Sequence, residues 1–359
     1  MSVNFRIFNR SSDLPRYLEL FENAFPETVN TPQSTGEHYT WKYETFPSSP
    51  QSFQYAAFED DKLVGFYGAI PYRYSICGTD HTAGMVCDVM THSSMRGKGV
   101  FTGIGRYACD DMKNKGISFT TGYPVRPEVI PGHLKVGWKI AFKLPMFIKV
   151  FRSDSILKAR GLGFISVPVN IVIYLINFIV SLFSRDKSGY VTTEKDFSEF
   201  FRGMDFKKFI DDWKRTVPNH LIKDEAFYRW RLGEPSCKYR FLASYKDGRL
   251  TGMAIVRNVV LQKIPTLAIL DLMTLEGHEK CADNLFNKMA RIASAEKIEA
   301  LALISSTKIA SRYRFLRSGV IKSPFIFRLI INKLNPRISD ENIYSEGNWH
   351  LMWIDSDDL

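Results

Sequence analysis

The chain has 359 residues, 45% of them hydrophobic, and a formal net charge of +10. That length exceeds one ordinary domain and the apolar share suffices for sizeable cores, so two domains are expected. The charge favours anionic partners such as coenzyme A, nucleotide-linked sugars or anionic lipid, whereas nucleic acid is set aside because long Lys/Arg blocks, zinc fingers and RNA-binding signatures are missing.

The five cysteines, Cys77, Cys87, Cys109, Cys237 and Cys281, are odd in number and lack Cys-x-x-Cys spacing. Neither a disulfide framework nor a zinc site is expected, no other metal is implied, and a reducing cytoplasm fits. The N-terminus shows no basic segment leading into an apolar core, so no secretory signal is expected.

In chain order, residues 53–58 and 63–70 are strand-like runs joined by the acidic turn 59–62, a hairpin signal. The apolar run 85–90 follows. It gives way to Arg96, Gly97, Lys98, Gly99 and Val100, after which Phe101, Ile104, Ala108 and Met112 fall at helical spacing. A strand that ends in a basic, glycine-rich turn and restarts as a helix aims free backbone N–H groups and the positive helix end at one point, where a pyrophosphate fits. Glycine lets the backbone approach the anion with no Cβ in the way. The helix closes at Lys113, Lys115 and Gly116, and residues 117–121 form the next strand.

Residues 161–184 are 24 positions without a charge, flanked by Lys158 and Arg160 before and by Arg185 and Lys187 after. That is long enough to cross a bilayer. At helical period, however, Ser166, Asn170, Tyr174, Asn177, Ser181 and Ser184 share one stripe. Three readings stay open: a helix buried between domains, a helix lying on a membrane, and a true span. Residues 186–224, with Tyr190 and Trp213, are charged and aromatic and read as a connector with short helices.

From residue 225 the plan recurs: strands 239–245 and 250–256 around the turn 246–249, an apolar strand 267–273, a helix over 282–295, a strand over 299–304 and a final segment 311–319. Where the first series has its basic turn, the second has Glu276, Gly277, His278, Glu279 and Lys280. Carboxylates repel a pyrophosphate, so one coenzyme site is expected, in the first half.

The succession of strands, phosphate turn, helix, strand, short helix and strand resembles the GNAT acyltransferase superfamily, whose pyrophosphate loop reads Arg/Gln-x-x-Gly-x-Gly/Ala. Arg96 and Gly99 match it, and Phe101 stands where a small residue is usual. A second match runs from Gly122, Tyr123 and Pro124 to His133, Lys135, Gly137 and Trp138, resembling the family's strand exit and a short helix ending in Lys-x-Gly-aromatic. The resemblance implies an α/β (α+β) chain of two GNAT-like halves, each a mixed, mostly antiparallel sheet flanked by helices. Residues 1–150 would carry the acyl-CoA site, 151–224 the hydrophobic helix and charged connector, and 225–359 a degenerate second copy. Tandem chains with such an insert resemble enzymes of bacterial surface polysaccharide assembly.

Acetyl transfer to an amine needs a neutral amine, stabilisation of the thioester oxyanion and a proton for the leaving thiolate. The resemblance implies that the backbone at Val89 and Met90 holds the pantetheine arm of acetyl-CoA and that residues 96–100 hold its pyrophosphate. A tyrosine four residues before the glycine of Lys-x-Gly-aromatic often donates the proton; here that position is His133, whose imidazole titrates near neutrality. Tyr123 is the substitute donor. Asp88 and Glu128 are the nearest carboxylates and the base candidates, with a water chain as the alternative. The implied partners are acetyl-CoA and an amine, a nucleotide- or lipid-linked amino sugar, in the cytoplasm at the inner membrane face. Two other readings remain: a Fem-type aminoacyltransferase, which does not depend on this loop, and a non-catalytic scaffold, favoured by Phe101 and by His133 in place of tyrosine.

Overall fold

Turn chemistry sets the first hairpin of the computed structural model, which describes residues 3–183 and 189–357. β2 (Phe53–Glu59) reverses into β3 (Lys62–Ile76) at Asp60, whose φ of 52° is the left-handed conformation that a short acidic side chain tolerates. Ahead of them lie β1 (Val3–Ile7), α1 (Arg10–Ala24) and α2 (Gly36–Glu44), the helices capped by Asn9 and Thr35, whose side chains accept the N–H of Ser11 and His38. β4 (Thr79–Thr91), α3 (Val100–Asn114), β5 (Phe119–Gly122), α4 (Ile130–Leu134) and β6 (Lys139–Val150) complete a first series.

α5 (Asp154–Lys158), α6 (Ser166–Phe183), β7 (Val191–Lys195), α7 (Phe197–Arg202), α8 (Met204–Lys214) and β8 (Asn219–Leu221) lead to the second. It comprises α9 (Glu225–Arg231), β9 (Arg240–Lys246), β10 (Arg249–Leu261), β11 (Ile264–Thr274), α10 (Cys281–Ala295), β12 (Ala300–Ile304), α11 (Thr307–Arg312) and β13 (Ile321–Lys333), followed by α12 (Asp340–Tyr344) and β14 (Trp349–His350).

Among the described residues all strands join one 14-stranded mixed sheet, whose main path runs β1-β2-β3-β4-β5-β13-β6-β12-β11-β10-β9-β7. The path is palindromic: matching strands of the two series lie at equal distances from the centre. There the last strands cross over. β13 pairs antiparallel with β5, Ile330 opposite Gly122, and β6 pairs antiparallel with β12, Ile148 opposite Ala302. The two crossing strands also pair with each other, so each series is completed by a strand of the other.

Residues of β3 feed cores on both faces of the sheet, which is why the strand reads as an almost unbroken apolar run. Phe66, Ile70 and Tyr72 join Tyr17 and Leu20 of α1, while Val64, Tyr67 and Ala69 join Ile104, Ala108 and Met112 of α3. The segment read as a helical connector also contains β7, an edge strand paired with β9. Its Thr192 and Thr193 lie among charged neighbours and give no apolar alternation, and a half-exposed edge requires none.

The apolar middle forms α6, and the reading of it as a helix buried between domains does not hold. Gly163–Leu182 has a mean hydropathy of 2.1, and none of it is buried. The asparagines of the polar stripe face the protein, although its Tyr174 is exposed: Asn170 Oδ1 accepts the N–H and the hydroxyl of Ser153 at 2.8 Å, and Asn177 Nδ2 donates to the Val150 carbonyl at 2.9 Å. Ser184, Arg185 and Lys187 lie outside the described residues.

Candidate active site

The site begins where β4 and β5 part. Their parallel register covers Ala83, Gly84 and Met85 against Phe119, Thr120 and Thr121, while β4 runs on to Thr91. Beyond Met85 the β4 edge that faces β5 has no strand partner among the described residues. On its other side the register with β3 jumps from Met90 opposite Phe66 to Cys87 opposite Gly68, so Asp88 and Val89 bulge out, with Asp88 at a φ of 48°. The bulge turns Asp88 toward a cavity of about 450 Å³ that Val89, Tyr123 and His133 also border.

Downstream of β4 the 3₁₀ turn Ser93–Met95 leads into the glycine-rich turn. Gly97 and Gly99 have φ of 77° and 83°, and an added Cβ at either would meet nothing within 4 Å. The requirement for glycine is therefore conformational, and the space above the turn is open. Gly99 caps α3 without any side-chain hydrogen bond, leaving the first N–H groups of the helix available to an anion. Arg96, Gly97, Lys98 and Gly99 are all exposed and Val100 is buried under them. Phe101 leans away from the turn, against Gly132 and His133 of α4, the two rings 4.9 Å apart and edge to face.

Asp88 anchors a polar cluster. Its carboxylate accepts from Lys42 Nζ at 2.9 Å, from the Tyr43 hydroxyl at 2.7 Å and from the Tyr17 hydroxyl at 3.1 Å. Burial pushes the pKa of Asp88 up, but the Lys42 charge and the hydrogen bonds from Tyr43 and Lys42 outweigh it, so the carboxyl sits below its ordinary value. Lys42 also reaches Asp357 at 3.2 Å. His133 lies between Phe101 and Trp138, both rings 4.9 Å away, and burial lowers its pKa to about 4. The imidazole is therefore neutral at pH 7. Burial, with Tyr74 and Asp355 nearby, raises the Tyr123 phenol well above the usual value, and its hydroxyl makes no hydrogen bond of ordinary geometry. Glu128 is exposed in the turn Pro127–Val129 and does not border the cavity. Thus Asp88, Val89, Tyr123 and His133 converge, the glycine turn lies at the far end of the same strand, and Glu128 stays outside.

Residues 7–141 match the family described as an acetyltransferase (GNAT) domain. The match lies within the first half of the chain. Among solved structures, a conserved protein of unknown function from Enterococcus faecalis, titled a probable N-acyltransferase, superposes with a TM-score of 0.67 at 11% identity, covering 93% of this chain and 73% of that one. A GCN5-related N-acetyltransferase from Anabaena variabilis gives 0.65 at 12%, with 93% and 73% covered, and one from Kribbella flavida gives 0.61 at 12%, with 93% and 71% covered. At such identities these likenesses establish the fold. No curated protein matches the sequence. Among the described residues, no group of three or more His, Cys, Asp or Glu side chains is placed to hold a metal ion.

Sequence reasoning missed the cavity wall contributed by the second half, where Trp230, Arg231, Glu234, Arg257 and Asp357 lie. A signal for it existed. Tyr39, Trp41 and Lys42 on α2 have the same spacing as Tyr228, Trp230 and Arg231 on α9. The two indoles stack at 5.3 Å and 9°, and each donates its N–H to the carbonyl of the other, at 2.8 and 3.0 Å. The repeated motif thus forms a reciprocal contact at the cavity, joining two parts of the chain far apart in sequence.

Proposed function

We propose that the chain is an acyl-CoA-dependent N-acyltransferase with one coenzyme site, formed by the first half, and an acceptor cavity to which the second half, a degenerate copy of the same fold, contributes a wall. The observation that carries this reading is the alignment along β4 of an open, glycine-capped helix start, an unpaired strand edge and a buried carboxylate cluster at a bulge. Arg96, Lys98 and the backbone N–H groups at Gly97 to Val100 fit the pyrophosphate, and the free edge of β4 through Val89 and Met90 fits the pantetheine amides. A backbone N–H at the bulge would serve the thioester oxygen, where negative charge develops during attack.

Asp88 spends three of its roughly four acceptor positions on Lys42, Tyr43 and Tyr17, which leaves one for the incoming amine. As the C–N bond forms, the nitrogen becomes far more acidic than a free ammonium, so even a carboxylate of lowered pKa accepts its proton. Tyr123 then gives a proton to the departing sulfur: a phenol of raised pKa stays protonated until a thiolate forms beside it. We give His133 a packing role against Phe101 and Trp138. For the acceptor we propose an amino sugar, nucleotide- or lipid-linked, in surface polysaccharide assembly, because the cavity sets Trp41 and Trp230 beside paired charges, an apolar face next to hydroxyl-binding groups. The cytoplasm, at the inner membrane face, is the proposed location, supported by five free cysteines and the exposed α6.

The test is calorimetry with acetyl-CoA followed by a thiol-release assay over a panel of amino sugars. One equivalent of acetyl-CoA bound, with thiol release dependent on a sugar amine, is expected. Absence of any binding heat sinks the enzymatic reading and leaves a scaffold.

A further inference from the structure

α6 is amphipathic in the reverse sense to a soluble helix. Its asparagines are spent on the protein, through Ser153, Asp154 and Val150, while Ile171, Leu175 and Ile179, spaced four apart, are 56%, 51% and 52% exposed. Phe164 and Val167, at 81% and 68%, extend the apolar face toward the start of the helix. An unpartnered apolar face of that length is not kept in water by a soluble monomer.

The neighbouring surface has the same character. The turn Phe315–Ser318 packs against α6, with Val180 lying over Gly319, and Leu316 and Ile321 beside it are 78% and 51% exposed. From 312 to 328 the chain holds five basic residues and no acidic one; Arg312 and Arg317 pair with Glu279 and Asp283, while Arg314 and Lys322 stand exposed. Lys158 and Arg160 stand exposed just ahead of the helix. An apolar strip bordered by cations on both sides matches the acyl region and the headgroups of an anionic leaflet.

We propose that α6 and the segment 315–326 form a docking surface for an anionic lipid bilayer, with α6 lying in the plane of the interface. Hydrogen bonds from Ser153 to Asn170 and from Asn177 to Val150 set this orientation, because a helix crossing the membrane would have to give them up. The surface is independent of the acyl-CoA site, so its test reads lipid binding alone.

Full-length protein is sedimented with vesicles of phosphatidylcholine containing about a quarter phosphatidylglycerol, and with vesicles of phosphatidylcholine only. Binding to the anionic vesicles, weakened at least about 10-fold by Ile171→Glu, Leu175→Glu and Ile179→Glu together, is expected. Lys158→Glu with Arg160→Glu should weaken it several-fold, and salt near 0.5 M should mimic that change. Both sets of substitutions are on exposed positions, and unchanged thermal melting checks that the fold persists. The proposal is overturned if the parent protein stays in the supernatant, if it binds neutral vesicles equally well, or if it runs as a dimer that the triple substitution dissociates, which would make a second copy the occupant of this face.

Discussion

The two series of strands share an order and diverge at the same place. In the first, β4 and β5 part beyond Met85 and the opening leads to a cavity of about 450 Å³. In the second, β11 and β12 pair only over Thr266, Leu267 and Ala268 before they too part. That opening is filled from within: His350 Nε2 meets the Leu272 carbonyl at 3.1 Å, and Met352, Trp353 and Ile354 are 2%, 2% and 0% exposed. The carboxylate clusters differ likewise. Asp88 and Lys42 border the cavity, whereas Asp271, Lys223 and Asp355 are sealed, with Lys223 Nζ 3.0 Å from Asp271 and 3.3 Å from Asp355. One framework supports an open cavity or a plugged core, depending on whether the chain returns to fill the gap between its strands.

The comparison is broken most severely at the glycine turn. Gly99→Glu forces a side chain onto a φ of 83° and sets a carboxylate where the pyrophosphate would lie. A loss of acetyl-CoA affinity of about 100-fold or more is expected, equivalent to about 2.7 kcal/mol, measured by calorimetry. Undiminished affinity would move the coenzyme site away from this turn.

The next effect concerns turnover. Tyr123→Phe should lower kcat about 100-fold while leaving acetyl-CoA affinity nearly unchanged, because only the proposed proton donor is lost. His133→Phe keeps a ring between Phe101 and Trp138 and should retain most of kcat. If the histidine variant is the inactive one, the donor is His133, despite a pKa near 4.

Acid and base should act on the two halves with opposite sign. In the first, the folded-state pKa of Asp88 is depressed, so its contribution to stability is present above the unfolded pKa near 4 and is lost as pH falls through the folded value. In the second, burial and the neighbouring Asp271 push Asp355 up to about 6 against the pull of Lys223. The folded chain therefore keeps a proton there that the unfolded chain releases, and stability falls as pH rises from about 4 to about 6. Relative to the parent, Asp355→Asn should gain up to about 2 kcal/mol between pH 4 and pH 7.5. Denaturant unfolding at the two values measures it, and a pH-independent difference would mean that Asp355 is ionised throughout.

Much of the strand plan, both hairpin turns and the glycine-rich turn ahead of α3 were legible because each rests on local chemistry: apolar runs, acidic or glycine reversals at Asp60 and Gly248, and the spacing of Gly97 and Gly99; β1 and β13 were not read as strands. The crossing of β6 and β13 was not legible. Their pairing with β12 and β5 is a choice between similar apolar strands made by long-range packing, and nothing in either sequence marks it. The same holds for Arg231 and Asp357, which reach the cavity only because the two series fold against each other through Trp41 and Trp230. The asparagines of α6 were visible as a stripe, but which side of the helix would face the protein was not.

The smallest expected effect tests whether charge or filling keeps the second half closed. Glu276 and Glu279 precede α10, where the first half has its basic turn, and Glu279 pairs with Arg312 at 3.1 Å on a partly exposed surface. Such a pair contributes at most about 1 kcal/mol, so Glu276→Gln with Glu279→Gln should alter stability little. If repulsion by these carboxylates were the only barrier, the double variant would bind a second equivalent of acetyl-CoA. The packing of residues 349–356 along β11 argues otherwise, because removing two charges at the mouth leaves Trp353 and the Lys223 cluster where they are. The stoichiometry in calorimetry should therefore stay at one, and a value of two would show that electrostatics alone distinguishes the halves.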